Sequence, residues 1–152
     1  RMRPERYELG DDPCVAGQWR AGIGMVRVNR FLVDTIVSCE GDRYESDPPW
    51  GIFGGQDGTL AYGKVTGPDG SVEMWPAKFT GKVLKAGSTI ELAVPNSGGY
   101  GEPFARDPEA VRSDVLDGFT TAELAERDYG VVLDPATAAV DTAATERARV
   151  SR

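Results

Sequence analysis

The sequence predicts an α+β protein, with an antiparallel, β-rich first two thirds forming sandwich-like sheets and then two or three short C-terminal helices. Two observations carry this. Of the 19 glycines, 17 fall in residues 1–101, together with Trp19, Trp50 and Trp75, the composition of strands joined by turns. Beyond residue 101 glycine becomes rare and helix-start signals follow one another. The expected division is therefore a glycine-rich antiparallel β region over 1–101 and a short helical region over 102–152 packing on it.

The strands follow in order. Arg6 to Leu9 is a short strand closed by Gly10-Asp11-Asp12-Pro13. In Ile23 to Leu32, Val26 and Val28 share one face and Ile23 and Met25 the other, which predicts a strand covered on both sides. Thr35 to Cys39 comes so soon after Asp34 that a tight reversal or a bulge is expected. Leu60 to Thr66 and Ser71 to Trp75 flank Gly67-Pro68-Asp69-Gly70, a hairpin signal. Lys78 to Leu84 and Thr89 to Val94 flank Lys85-Ala86-Gly87-Ser88, and a second hairpin is expected there. Ile90, Leu92 and Val94 alternate with Thr89, Glu91 and Ala93, the period of a sheet with one buried face.

The helical region is marked by its caps. Asp107-Pro108 predicts a helix over 108–117, with Val111 and Val115 facing inward and Gly118 as the stop. Thr120-Thr-Ala-Glu123 reads as a capping box for a second helix that ends near Tyr129-Gly130. Val131 to Leu133 is a short apolar run, a strand or a plug. Asp141 can cap a last helix whose Arg147 and Arg149 suit the negative end of its dipole. That helix is nearly all small or charged, so it is expected to be exposed or to dock on something else.

Composition bounds the function. At 152 residues, the chain can bury a core of one compact domain. A net charge of -7 argues against nucleic acid and against anionic membrane surfaces. No run approaches the ~20 apolar residues of a membrane span, and the charged start Arg1 to Glu8 is not a signal peptide. Two cysteines, Cys14 and Cys39, are too few for a disulfide scaffold, and a cytoplasmic location with free thiols is expected. With no histidine, Ser-His-Asp triads, Cys-His dyads and most catalytic zinc sites cannot be built from this chain.

Two segments stand out. Gly98-Gly-Tyr-Gly101 before the Asp107 cap invites a phosphate-binding reading. It lacks the Lys-Ser/Thr of a P-loop, and Glu102 and Asp107 would repel phosphate, so a tight turn or a loop presented to a partner subunit fits better. In Asp47-Pro-Pro-Trp-Gly-Ile-Phe-Gly-Gly55, Trp50 and Phe53 offer large apolar area between prolines and a glycine reversal. It reads either as a loop that enters an interface or lines a cavity, or as a connection pinned by its own aromatics. The interface or cavity candidates are Trp50, Phe53, Gly54, Gly55, Gly98, Gly99, Tyr100 and Gly101. Cys14 and Cys39 read as small apolar residues rather than nucleophiles. Asp114, Asp117, Glu123, Glu126 and Asp128 read as solvated helix faces.

Several strings occur together in one order: Glu5-Arg-Tyr-Glu-Leu9, Ala16-Gly-Gln-Trp-Arg-Ala-Gly-Ile-Gly24, Pro48-Pro-Trp-Gly-Ile-Phe-Gly-Gly55, Lys82-Val-Leu-Lys-Ala-Gly87, Gly98-Gly-Tyr-Gly-Glu-Pro103, Arg106-Asp-Pro-Glu-Ala-Val111, Asp114-Val-Leu-Asp-Gly118 and Asp128-Tyr-Gly-Val-Val-Leu133. In these the chain resembles the C-terminal region of the hydantoinase B family, which includes N-methylhydantoinase and 5-oxoprolinase B-type parts and acetone and acetophenone carboxylase subunits. It departs from the family at Asn96 and Ser97, where the usual loop is richer in glycine, and in being several times shorter than a full member.

The resemblance implies a small subunit or C-terminal fragment of an ATP-dependent hydantoinase/oxoprolinase-type complex. An A-type subunit would use ATP to phosphorylate an amide or enolate oxygen, and the B-type part would complete hydrolysis or carboxylation. This chain is expected to bind no cofactor and to carry no catalytic residue, serving assembly and cavity shaping. ATP and a divalent metal belong to its expected partners, the larger B-type portion and the A-type subunit. The alternatives are a small subunit of a ketone carboxylase, or a stand-alone β-sandwich binding module with Trp19, Trp50 and Trp75 as its platform.

Overall fold

The computed structural model describes residues 1–150; Ser151 and Arg152, the end of the expected helical region, lie outside them. The first two thirds form antiparallel sheets, and three helices follow near the C-terminus. The chain divides into two compact units, one from residues 1–11, 24–49 and 59–96, the other from 12–23, 50–58 and 97–152.

The first unit holds seven strands: β1 (Met2–Leu9), β2 (Met25–Phe31), β3 (Thr35–Glu40), β4 (Tyr62–Thr66), β5 (Val72–Trp75), β6 (Lys78–Leu84) and β7 (Thr89–Ala93). Five make one sheet in the order β1-β2-β7-β4-β5, and β3 and β6 make a second. Where the sheets meet, Val37, Phe79 and Leu84 from the pair pack against Phe31, Val65, Trp75, Ile90 and Leu92. The Trp75 and Phe79 rings meet edge to face at 4.7 Å, and the Lys82 ammonium lies 4.4 Å from the Trp75 ring.

The β4–β5 hairpin forms at Gly67–Gly70 as expected. The Gly67 amide donates to the Ser71 carbonyl at 2.8 Å, and Gly70 takes φ +84°, which a side chain would resist. The second expected hairpin is absent. β6 pairs with β3, while β7 lies between β2 and β4. The connection is captured by the end of β2: Phe31 donates its amide to the Ser88 carbonyl and accepts from the Gly87 amide, and Asp34 accepts from Ala86 and Lys85. Those bonds carry the chain from one sheet to the other. β2 is buried on both faces toward its end, but through Asn29 and Phe31 rather than Ile23 and Met25, since Met25 is exposed. β1 extends further back than Arg6; it is exposed throughout, and Arg3, Pro4, Glu5 and Arg6 give its outer edge the charge and the proline that discourage further strand pairing.

The second unit holds α1 (Pro108–Leu116), α2 (Ala122–Tyr129) and α3 (Thr142–Val150), after a 3-10 turn over Pro103–Ala105. Asp107 caps α1, accepting from the Glu109 amide at 2.9 Å. α2 is capped by Thr121, whose hydroxyl accepts from the Leu124 amide at 3.2 Å, not by Thr120 as the capping-box spacing suggested. Thr120 is instead buried, with its hydroxyl unpartnered. Gly130 closes α2 in the left-handed conformation at φ +62°. Asp141 accepts from the Ala144 amide at 2.9 Å at the start of α3. That helix docks within the unit: Thr145 is buried and accepts from the Val132 amide, and Arg149 donates to the carbonyls of Tyr129 and Arg106. Val131 is the plug, buried with Ala16, Val111, Ala125 and Tyr129.

Candidate functional site

Three loops of the second unit lie backbone to backbone. Trp19 and Tyr100 form an antiparallel bridge, and Ile52 and Tyr100 form a parallel one, so residues 98–101 run between 16–19 and 50–56. The Tyr100 amide donates to the Trp19 carbonyl at 3.1 Å, the Gly101 amide to Ile52 at 2.8 Å and the Gly99 amide to Gln56 at 2.9 Å. The Gln56 amide donates in turn to the Ala16 carbonyl at 2.9 Å.

This close approach is what the glycines permit. A methyl group on Gly55 would stand 2.8 Å from the Tyr100 nitrogen and closer still to the Gly99 carbonyl. One on Gly98 would strike the Trp50 carbonyl, and one on Gly99 the Ala16 carbonyl. Gly54 and Gly101 take φ +94° and +74°, and the space beside Gly54 is filled by the Glu102 carboxylate. The donors of Gly99, Tyr100 and Gly101 are thus spent on neighbouring loops, and a carboxylate stands beside them. These residues do not fit a phosphate group. Among the described residues no group of three or more Cys, Asp or Glu converges as a metal-binding set.

The loops are bonded to one another through their backbones and carry exposed apolar side chains. Bridged residues present their side chains to one face, and here that face carries Trp19 (66% exposed), Tyr100 (47%) and Ile52. Phe53 (75% exposed) meets Tyr100 edge to face at 5.3 Å. Trp50, also well exposed, stands two residues before Ile52 on the same loop. The structure therefore brings Trp50, Phe53, Gly54, Gly55, Gly98, Gly99, Tyr100 and Gly101 together. It adds Trp19 and Ile52, which the sequence reading did not single out for this loop cluster. Trp75 is buried in the other unit, so the three indoles do not make one exposed platform.

A second feature fixes this arrangement. Asp114, read from sequence as part of a solvated helix face, is buried; Asp117, Glu123 and Glu126 are exposed and Asp128 half-buried. Its two carboxylate oxygens accept from Arg20 Nε and Arg106 Nη2, each at 2.8 Å. Arg106 also donates to the Gln18 carbonyl at 3.0 Å, and the Arg20 guanidinium lies 4.5 Å from the Phe119 ring centre. The pair of arginines thus ties the loop bearing Trp19 to α1. Arg20 and Asp114 are 94 residues apart, so no local spacing announces them. Cys14 is buried beside Arg20, and burial pushes its thiol pKa up, as expected of an unreactive side chain. Tyr129 is buried beneath, its phenol pushed up to about 12 by loss of solvent.

Comparison with known proteins places this architecture. The sequence profile of the Hydantoinase B/oxoprolinase family matches residues 2–103, which include all three loops. A putative D-/L-hydantoinase B-type subunit of Pseudomonas sp. (strain NS671) is 41% identical over 133 residues, covering 87% of this chain and 22% of that protein. The acetophenone carboxylase delta subunit of Aromatoleum aromaticum is 25% identical over 170 residues, covering 92% of this chain and 25% of its own. Among solved structures, the ATP-dependent caprolactamase from Pseudomonas jessenii superposes with a TM-score of 0.73 at 25% identity, over 98% of this chain and 26% of that one. An acetone carboxylase in its nucleotide-free form shares the fold at a TM-score of 0.70 and 17% identity, over 99% of this chain and 24% of that one. The chain thus spans about a fifth to a quarter of the length of these relatives. With the profile covering both sheets and the loop cluster, the chain belongs to the hydantoinase B/oxoprolinase family.

Proposed function

We propose that this chain is the C-terminal-type part of an ATP-dependent hydantoinase/oxoprolinase-type assembly, acting in cyclic-amide hydrolysis through assembly and cavity shaping rather than through reactive groups of its own. One observation carries the reading: the exposed aromatic side chains stand on a rigid, internally bonded loop cluster, inside the region that the family profile matches. Such apolar area on a preorganised backbone favours burial against another surface. The partners are a larger hydantoinase B-type portion and an A-type subunit, and those would hold ATP and a divalent metal.

Cyclic-amide chemistry is supported by the names of the hydantoinase and caprolactamase relatives. Ketone carboxylation is the second reading, favoured by the acetophenone carboxylase relative. Both are tested by co-expressing the chain with B-type and A-type partners and following ATP consumption. A hydantoin or lactam should stimulate it, and a ketone with bicarbonate should not; the reverse result selects the carboxylase. Turnover of either substrate by the chain alone would refute the proposal.

A further inference from the structure

We infer that the Tyr100 face of the second unit is the docking surface for an apolar patch bordered by Arg or Lys on the larger hydantoinase B-type portion. This rests on the assembly reading above and specifies its partner. Scaled by their exposure, Trp19, Trp50, Phe53 and Tyr100 offer on the order of 500 Å², against roughly 800 Å² per partner in a stable interface. These four therefore suffice as the centre of such a contact. The middle loop's amides are consumed by neighbouring loops, so an added strand finds few donors there. Recognition runs through side-chain burial.

Charge selects the partner. Most of the net charge of -7 falls in this unit. Five of its arginines are engaged within the unit: Arg20 and Arg106 hold Asp114, Arg112 donates to the Ala138 carbonyl, Arg127 pairs with Asp128, and Arg149 binds two carbonyls. At the edge of the aromatic face stand acids instead. Glu102 lies against Gly54, and Asp57 accepts from the Gly51 amide at 2.8 Å. A second copy would set acid against acid, which opposes self-association through this face. A basic border satisfies it.

The test uses the full chain and, as probe, the Pseudomonas B-type hydantoinase relative with its matching region deleted, co-expressed and then measured in titration. Wild type should co-elute with the probe, with affinity falling as salt rises. Trp50→Ser with Tyr100→Ser should weaken binding by roughly thirtyfold, and Glu102→Lys should weaken it and flatten the salt dependence. Binding that ignores these substitutions overturns this inference and leaves the assembly reading standing. No co-elution with wild type overturns both, and a dimer of the free chain abolished by Tyr100→Ser overturns the inference by assigning the face to a second copy. In the chain alone, with each ion scaled to its quenching of free indole, caesium should quench the exposed indoles more than iodide does, and the opposite order contradicts an acidic border.

Discussion

At the scale of single residues, the room for one carbon atom decides the loop cluster. Gly99 has a carbonyl of Ala16 where any other residue would place its first carbon, so Gly99→Ala must push two loops apart. We expect a loss of about 3 kcal/mol, measured by urea unfolding, with Trp19 fluorescence reporting the disturbed bridge. Gly118 supplies the control, since a methyl there meets open space; its positive φ alone should cost less. Tyr129 gives a pH signature. Its folded pKa of about 12 lies above the usual value of 10, so the fold holds the neutral phenol more firmly than the unfolded chain does. That stability is complete below pH 10 and is lost as pH rises from 10 toward 12. Unfolding followed by tyrosinate absorbance should show this decline, and Tyr129→Phe should flatten it.

At the scale of elements, much was legible because the signals are local. The β4–β5 turn, the Asp107 cap, the Gly130 stop and the Asp141 cap each follow from residues within a few positions of one another. What failed was longer in range or finer in register. The turn-like Lys85–Ser88 segment does not reverse the chain, because bonds to Phe31 and Asp34, far upstream, redirect it. The α2 cap slipped from Thr120 to Thr121 because two threonines offer the same chemistry and burial of the first settles the choice. Thr121→Ala should therefore cost about 1 kcal/mol, whereas Thr120→Val, replacing an unpartnered buried hydroxyl, should cost nothing or stabilise. Equal costs in thermal unfolding would contradict the assignment. Asp114 was invisible for the same reason of distance. Asp114→Ala strands Arg20 and Arg106 and should cost about 3 kcal/mol, tempered by the partial exposure of Arg20, with Arg20→Ala costing less.

At the scale of the whole molecule, the candidate loops were legible as unusual: prolines, glycines and aromatics crowd into short segments that few purely structural turns require. Their meeting was not. Residues 16–19, 50–56 and 98–101 become neighbours only through the fold, and Trp19 and Ile52 join the face by bridging Tyr100. Under the proposal, this face is covered in the working assembly. Hydroxyl-radical footprinting of aromatic side chains, on the free chain and on the chain co-purified with its B-type and A-type partners, tests that directly. Trp19, Trp50, Phe53 and Tyr100 should be labelled in the free chain and protected in the assembly, with buried Trp75 unlabelled in both. Equal labelling of those four in the two states would contradict the account.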